Sequence, residues 1–126
     1  MNDLSLGLRE NRTSFEPGEL LQGAARWELK AAPKLAEIRL VWFTRGKGTE
    51  DIEPMDTVAF DVPLAGDVRD FQITLPRAPY SFSGRLISLI WAVELVLEPG
   101  SLFTRIEITL APGGAEVVLP QLPGKT

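Results

Sequence analysis

From Ile87 to Leu97 every second residue is large and apolar: Ile87, Leu89, Trp91, Val93, Leu95 and Leu97. Strict alternation of this kind turns one whole edge of an extended strand into a core. The positions between are mixed, with Ser88, Ala92 and Glu94 among Leu86, Ile90 and Val96. Periodicity alone does not separate such a run from a buried helix. The β-branched residues, the Trp and the Pro99-Gly100 closure favour the strand.

The same period-2 pattern recurs along the chain. Leu4, Leu6 and Leu8 alternate with polar or small residues, and Glu10-Asn11-Arg12 reads as a turn. Thr13–Phe15 pairs briefly before Pro17-Gly18, which supplies the two backbone angles of a type II turn. From Leu20 to Lys30, Leu21, Gly23, Ala25, Trp27 and Leu29 share one face; the small Gly23 and Ala25 imply a close approach across the core or a bulge. Ala36–Arg45 sets Ile38, Leu40 and Trp42 against Glu37, Arg39, Val41 and Phe43. Val58, Phe60 and Val62 share a face, as do Phe71, Ile73 and Leu75. Leu102, Thr104, Ile106, Ile108 and Leu110 alternate with Phe103, Arg105, Glu107 and Thr109, and Ala115–Leu119 makes a last short strand. With Pro/Gly punctuation between the segments and no convincing helix, the chain reads as all-β: an antiparallel two-sheet β-sandwich of about eight strands. Residues 1–119 form one such domain, and 120–126 a Pro-containing tail.

Composition narrows the function. The 126 residues are enough for one core, and the net charge is −4 with a pI near 4.8. Nucleic-acid binding needs a basic surface, so that partner is not expected. There is no cysteine, hence no disulfide framework or thiolate chemistry, and no histidine to serve as a base near neutral pH. The start of the chain lacks the basic end and apolar run of a signal peptide, and the longest apolar stretch carries Glu94 and is short of a membrane span. The expectation is a cytoplasmic protein without membrane insertion and without a cofactor.

Two stretches resemble the arrestin-like family, which takes in the arrestins, the retromer subunits related to them and bacterial sporulation-control relatives. One is Phe15-Glu16-Pro17-Gly18-Glu19-Leu20-Leu21-Gln22-Gly23, similar to an early PGE…G segment. The other runs Phe71-Gln72-Ile73-Thr74-Leu75-Pro76, then Pro79-Tyr80-Ser81-Phe82-Ser83-Gly84, then Ile90-Trp91-Ala92-Val93-Glu94-Leu95. The resemblance touches about a third of the chain. It implies an immunoglobulin-like sandwich used for scaffolding or protein binding rather than catalysis. Family members commonly carry two such domains in tandem; this chain has room for one, which puts any two-domain clamp in doubt unless two copies associate.

Several motifs invite chemistry. Gly46-Lys47-Gly48-Thr49 lacks the spacing of a phosphate loop and has strands on both sides, so it reads as a solvated loop whose Arg45 and Lys47 can touch an acidic partner. Glu50, Asp51, Glu53 and Asp56 lack the alternation of an EF-hand loop and are interrupted by Pro54. They read as an exposed acidic loop paired to those two bases, with cation binding left open. Ser81 and Ser83 have no His to activate them, and no carboxylate spacing singles out an acid/base pair.

Tyr80 and Phe82 read as loop residues, with Phe82 plugging the end of the sandwich, whereas Trp27, Trp42 and Trp91 all fall on inward parity. A reversed register would bring one of them outside, where it stacks on sugar rings; a carbohydrate-binding sandwich is therefore the alternative to a protein-binding scaffold, and a small carboxylate-dependent hydrolase stands third. The outward parity still carries Val41, Phe43, Leu86, Ile90 and Val96. Either a loop covers them or they meet another chain, as an apolar face or along an open strand edge. Self-association or a protein partner follows from the second case.

Overall fold

Backbone pairing follows the side-chain alternation closely. The computed structural model describes residues 3–46, 52–84, 87–114 and 117–118. The strands are β1 (Asp3–Leu8), β2 (Ser14–Phe15), β3 (Leu20–Glu28), β4 (Leu35–Gly46), β5 (Ile52–Ala59), β6 (Gly66–Thr74), β7 (Phe82–Ser83), β8 (Ile87–Glu98), β9 (Leu102–Leu110) and β10 (Val117–Val118). Helical structure among the described residues is confined to two 3-10 turns, Arg9–Asn11 and Pro112–Gly114.

Two sheets result. The smaller has the order β1-β3-β6, and the larger runs β5-β4-β8 and on to β9. The short β7 pairs with β8 at Ser88 and Leu89, on the edge that β9 occupies from Trp91 to Leu97. All pairings between the longer strands are antiparallel; β2 with β9 and β7 with β10 are parallel. The arrangement is an all-β sandwich. Its core joins Leu21, Ala25, Trp27, Phe71, Ile73 and Leu75 of the small sheet to Ile38, Leu40, Leu89, Trp91, Val93, Leu95 and Leu97 of the large one. These are the inward sets of the alternating segments. Trp42 is half-buried against the same core, directly across from Trp91.

Gly23 is where the chain comes closest to itself. A Cβ there would lie 2.5 Å from the Gly7 carbonyl oxygen and 2.7 Å from Phe71 Cζ. At Gly18 the backbone takes φ +81°, as the Pro17-Gly18 turn requires, and the Glu19 N–H closes it on the Glu16 carbonyl at 3.1 Å.

Four expectations need correction. Glu53 and Asp56 lie in strand β5, not in a loop: Pro54 sits at an irregularity in the β4–β5 register, on an edge strand, where proline is tolerated. Glu50 and Asp51 lie outside the described residues. Val62 does not join Val58 and Phe60 against the core; it is 82% exposed at φ +45°. Phe82 belongs to a short strand instead of a loop. Finally, β8 has β4 on one side and β7 and β9 on the other, so the long strand is interior and offers no open edge.

Candidate functional site

The outward side chains of β4, β8 and β9 fall into rows set by the register. Glu37, Val96 and Phe103 make one; Arg39, Glu94 and Arg105 the next; Val41, Ala92 and Glu107 the third; Phe43 and Ile90 the fourth. Val41, Phe43 and Ala92 form a second apolar cluster, packed with Ile90 and separate from the sandwich core. An apolar cluster on an outward face has to be covered, and here the chain's own charged residues cover it.

The cover is built from arginines over the Phe43 ring. The guanidinium carbon of Arg105 lies 4.9 Å from the ring centroid and that of Arg45 5.4 Å. Each arginine is held by one glutamate. Arg105 Nε donates to Glu94 Oε2 at 2.7 Å, and its Nη2 donates to the same oxygen. Arg45 Nη2 donates to Glu107 Oε2 at 2.8 Å, so this pair reaches from β4 across the face of β8 to β9. Arg39 Nε donates to Glu37 Oε1 at 2.6 Å along β4 itself. Cations over an aromatic face and long aliphatic stems on apolar neighbours both favour this packing.

Of the residues singled out in the sequence, the structure brings together Arg45, Val41, Phe43, Ile90 and Val96 on this one face. Val41, Phe43 and Val96 are buried within the single chain; over Phe43 the cover is the guanidinium groups of Arg105 and Arg45, and Val41 packs with Phe43 and Ala92 in the same cluster. Lys47 and Leu86 lie outside the described residues. Sequence reasoning did not single out Phe103, which stands 61% exposed at the corner of the face, opposite Val96. Its outward parity on β9, next to Arg105, was the available signal.

Two of the clefts among the described residues bear on the chemistry. One of about 780 Å³ has Gly7, Gly23, Ala24 and Phe71 in its lining together with Arg9 and Asp70. The other, about 320 Å³, lies where β9 leaves β8 and β7 takes its place, and is lined by Thr13, Ser81, Ser83, Ser88, Thr109 and the Arg45–Glu107 pair among others. There Ser81 joins the strands: its N–H donates to the Leu110 carbonyl at 2.7 Å, and the Leu110 N–H donates to Ser81 Oγ at 2.9 Å. Ser81 is thus a buried connector. Each of these clefts carries one carboxylate, Asp70 in the first and Glu107 in the second. Among the described residues no three Asp or Glu side chains gather as a metal site would need, and no helix is long and apolar enough to cross a membrane.

Two of the three indoles are closed to a sugar ring, and the third, Trp42, is half-buried against the core. Trp27 and Trp91 are buried, and each donates its Nε1–H to a loop carbonyl: Leu64 at 2.7 Å and Pro79 at 2.8 Å.

No protein-family model matches the chain, and no curated protein matches it either. Among solved structures the fold is similar to that of Spo0M, a sporulation control protein from Bacillus subtilis. The TM-score is 0.61 over 87% of this chain and 49% of that one, with 14% sequence identity. This chain therefore spans about half the length of Spo0M. A β-glucosidase from Listeria innocua aligns with 93% of this chain but 16% of its own, at TM-score 0.46 and 15% identity, too low for any argument. The likeness to Spo0M agrees with the two-sheet β-sandwich described above. At this identity it speaks for the fold alone.

Proposed function

We propose that this chain is a non-enzymatic protein-binding module, and that the outer face of β4, β8 and β9 is the surface that meets the partner. One observation carries the reading: Phe103 stands 61% exposed on a face otherwise roofed by arginines over Phe43. Aromatic and arginine side chains are the residue types that dominate protein interfaces, and a lone exposed Phe beside them is an anchor of that kind. Arg45 and Arg39 supply the charged rim, which suits acidic groups on the partner. The name of Spo0M as a control protein is in keeping with a module that binds rather than catalyses.

The burial of Trp27 and Trp91, with Trp42 half-buried against the core, favours protein binding over carbohydrate binding. Carboxylate-dependent hydrolysis wants two facing acids, and among the described residues the two clefts above have a single acid each in their linings, Asp70 and Glu107. The test is capture from an extract of the source cell on the immobilised chain, with the retained protein identified by mass. Phe103→Asp should lose that protein while its far-ultraviolet spectrum stays unchanged. Equal capture by both chains, or none by the parent, would sink the proposal.

A further inference from the structure

We propose that two copies of this chain join edge to edge through β1, antiparallel about Leu6, so that their two small sheets become one continuous sheet. The small sheet has the order β1-β3-β6, and β1 pairs with β3 and with no other described strand. One side of β1 therefore presents a row of backbone N–H and C=O groups, which another extended strand satisfies in full. Leu4 and Leu6 stand half-buried against the core, while Leu8 is buried. A strand laid against β1 takes the first two out of water as well.

β5 and β6 are edges too, and both are guarded. β5 carries Pro54, a shift in register and the exposed acids Glu53 and Asp56. At β6, Arg69 clamps the loop that leads in from β5. Its Nη2 donates to the carbonyls of Asp61 at 2.9 Å and Val62 at 3.1 Å, and its Nε donates to Asp67 Oδ2 at 3.1 Å. Prolines, bulges, charges and covering loops are the devices that keep a strand edge from pairing with another chain. β1 has none of them along its middle. Its register with β3 is unbroken from Asp3 to Leu8, and the residues between its leucines are Ser5 and Gly7. Both are small, and the space over Gly7 is open.

The strand that fits is a second β1, because this segment is its own complement. An antiparallel pair centred on Leu6 sets it against the partner's Leu6, Leu4 against the partner's Leu8, and Ser5 against the partner's Gly7. Every leucine keeps the inward parity that it has in the single chain. Arg9, at the start of the turn that follows β1, comes level with the partner's Asp3, and its side chain is long enough to meet it. The charges select this register. Asp3 stands opposite Glu28 in the β1–β3 ladder, and the ion pairs among the described residues include neither acid. They do not include Arg9 either, whose Nη1 donates to the neutral Oε1 of Gln22 at 2.9 Å and whose charge is thereby left uncompensated. Pairing about Leu6 brings one arginine to each Asp3–Glu28 couple, at both ends of the joint. A slip of two residues in either direction loses both contacts, and a slip of one turns the leucines to the wrong face. The two-fold contact closes on itself, so association stops at the dimer.

Sedimentation velocity over a concentration series tests the joint, with far-ultraviolet spectra as a control on folding. The parent chain should show a dimer whose share grows with loading. Asp3→Arg sets base against base at both ends and Arg9→Asp sets acid against acid, so each variant alone should weaken the dimer about fivefold or more. Mixed together, the two variants oppose unlike charges again and should sediment as a heterodimer. Ser5→Lys places the usual guard of natural edge strands in the middle of β1 and should leave a monomer. Phe103→Asp should keep the dimer intact, which separates this joint from the partner face proposed above. A parent that is monomeric at every concentration overturns the proposal. So does a dimer that tolerates Ser5→Lys, or a mixture of the two charge variants no more associated than either alone.

Discussion

Arg105 sits over the ring of Phe43, its guanidinium carbon 4.9 Å from the centroid, while both Nε and Nη2 hold the nearly buried carboxylate of Glu94. One side chain thus roofs an apolar cluster and neutralises an acid that has little water around it. Arg105→Ala removes both services, and leaving a buried charge without its partner is the expensive part. The expected loss is about 3 kcal/mol in denaturant unfolding. Arg45→Ala, whose pair with Glu107 is exposed on both sides, should cost no more than about 1 kcal/mol. Replacing Arg105 and Glu94 together by leucine should recover most of the first loss. Equal costs for the two arginines would contradict this account of the face.

Gly23 of β3 and Gly7 of β1 are diagonal neighbours with opposite tolerance. A Cβ at Gly23 meets a backbone oxygen at 2.5 Å, and backbone cannot swing aside as a flexible side chain can. Gly23→Ala should therefore destabilise by roughly 1–3 kcal/mol. Gly7→Ala meets open space and should be close to neutral. Thermal unfolding of the two variants side by side checks the contrast.

Val62 holds a strained backbone angle with a side chain that buries almost nothing. Relief of such strain is worth about 1–3 kcal/mol, against an entropy cost of roughly 0.5–1 kcal/mol for glycine. Val62→Gly should raise stability by about 1 kcal/mol, read as a shift of the denaturant midpoint. A variant less stable than the parent would mean that the angle is not strained.

Asp67 brings pH into the loop. The Arg69 guanidinium, and after it the Leu64 and Val68 N–H groups, hold its carboxyl below the usual carboxylate range. Well above that range the acid is ionised whether the chain is folded or not, so its contribution to stability is complete and constant. On acidification the unfolded chain takes up the proton first, at a pH of about 4, and the contribution is lost as pH falls through the lowered folded value. Asp67→Asn should be less stable than the parent at neutral pH, with the gap narrowing below pH ~4. Denaturant midpoints for both chains between neutral pH and pH ~3 measure it.

How far the sequence reaches depends on what kind of information each feature needs. Side-chain period is local, so the inward sets of β3, β4, β6, β8 and β9 are legible: Leu21 to Trp27, Ile38 and Leu40, Phe71 to Leu75, Leu89 to Leu97, and Ile108 with Leu110 are all buried. The close approach at Gly23 is legible for the same reason, since only a missing side chain fits there. Cross-strand partners are not local. That Arg105 falls beside Glu94, and Arg45 within reach of Glu107, follows from a register in which residues 11 and 62 positions apart meet. Without that register, Val41 and Phe43 look like an uncovered patch. Val62 fits an alternating pattern on paper, but Pro63 and the Arg69 clamp turn the chain there and throw the side chain outward. Pro54 misled in the other direction, because a proline is compatible with a strand when that strand is an edge.

Hydrogen–deuterium exchange on the chain, with and without the protein it captures, goes most directly to the partner face on β4, β8 and β9. Binding should slow amide exchange in Leu102–Glu107 and along Glu37–Arg45, with the strands of the small sheet unaffected by the captured protein. Protection confined to β1, β3 and β6, with β9 exchanging as in the free chain, would contradict it.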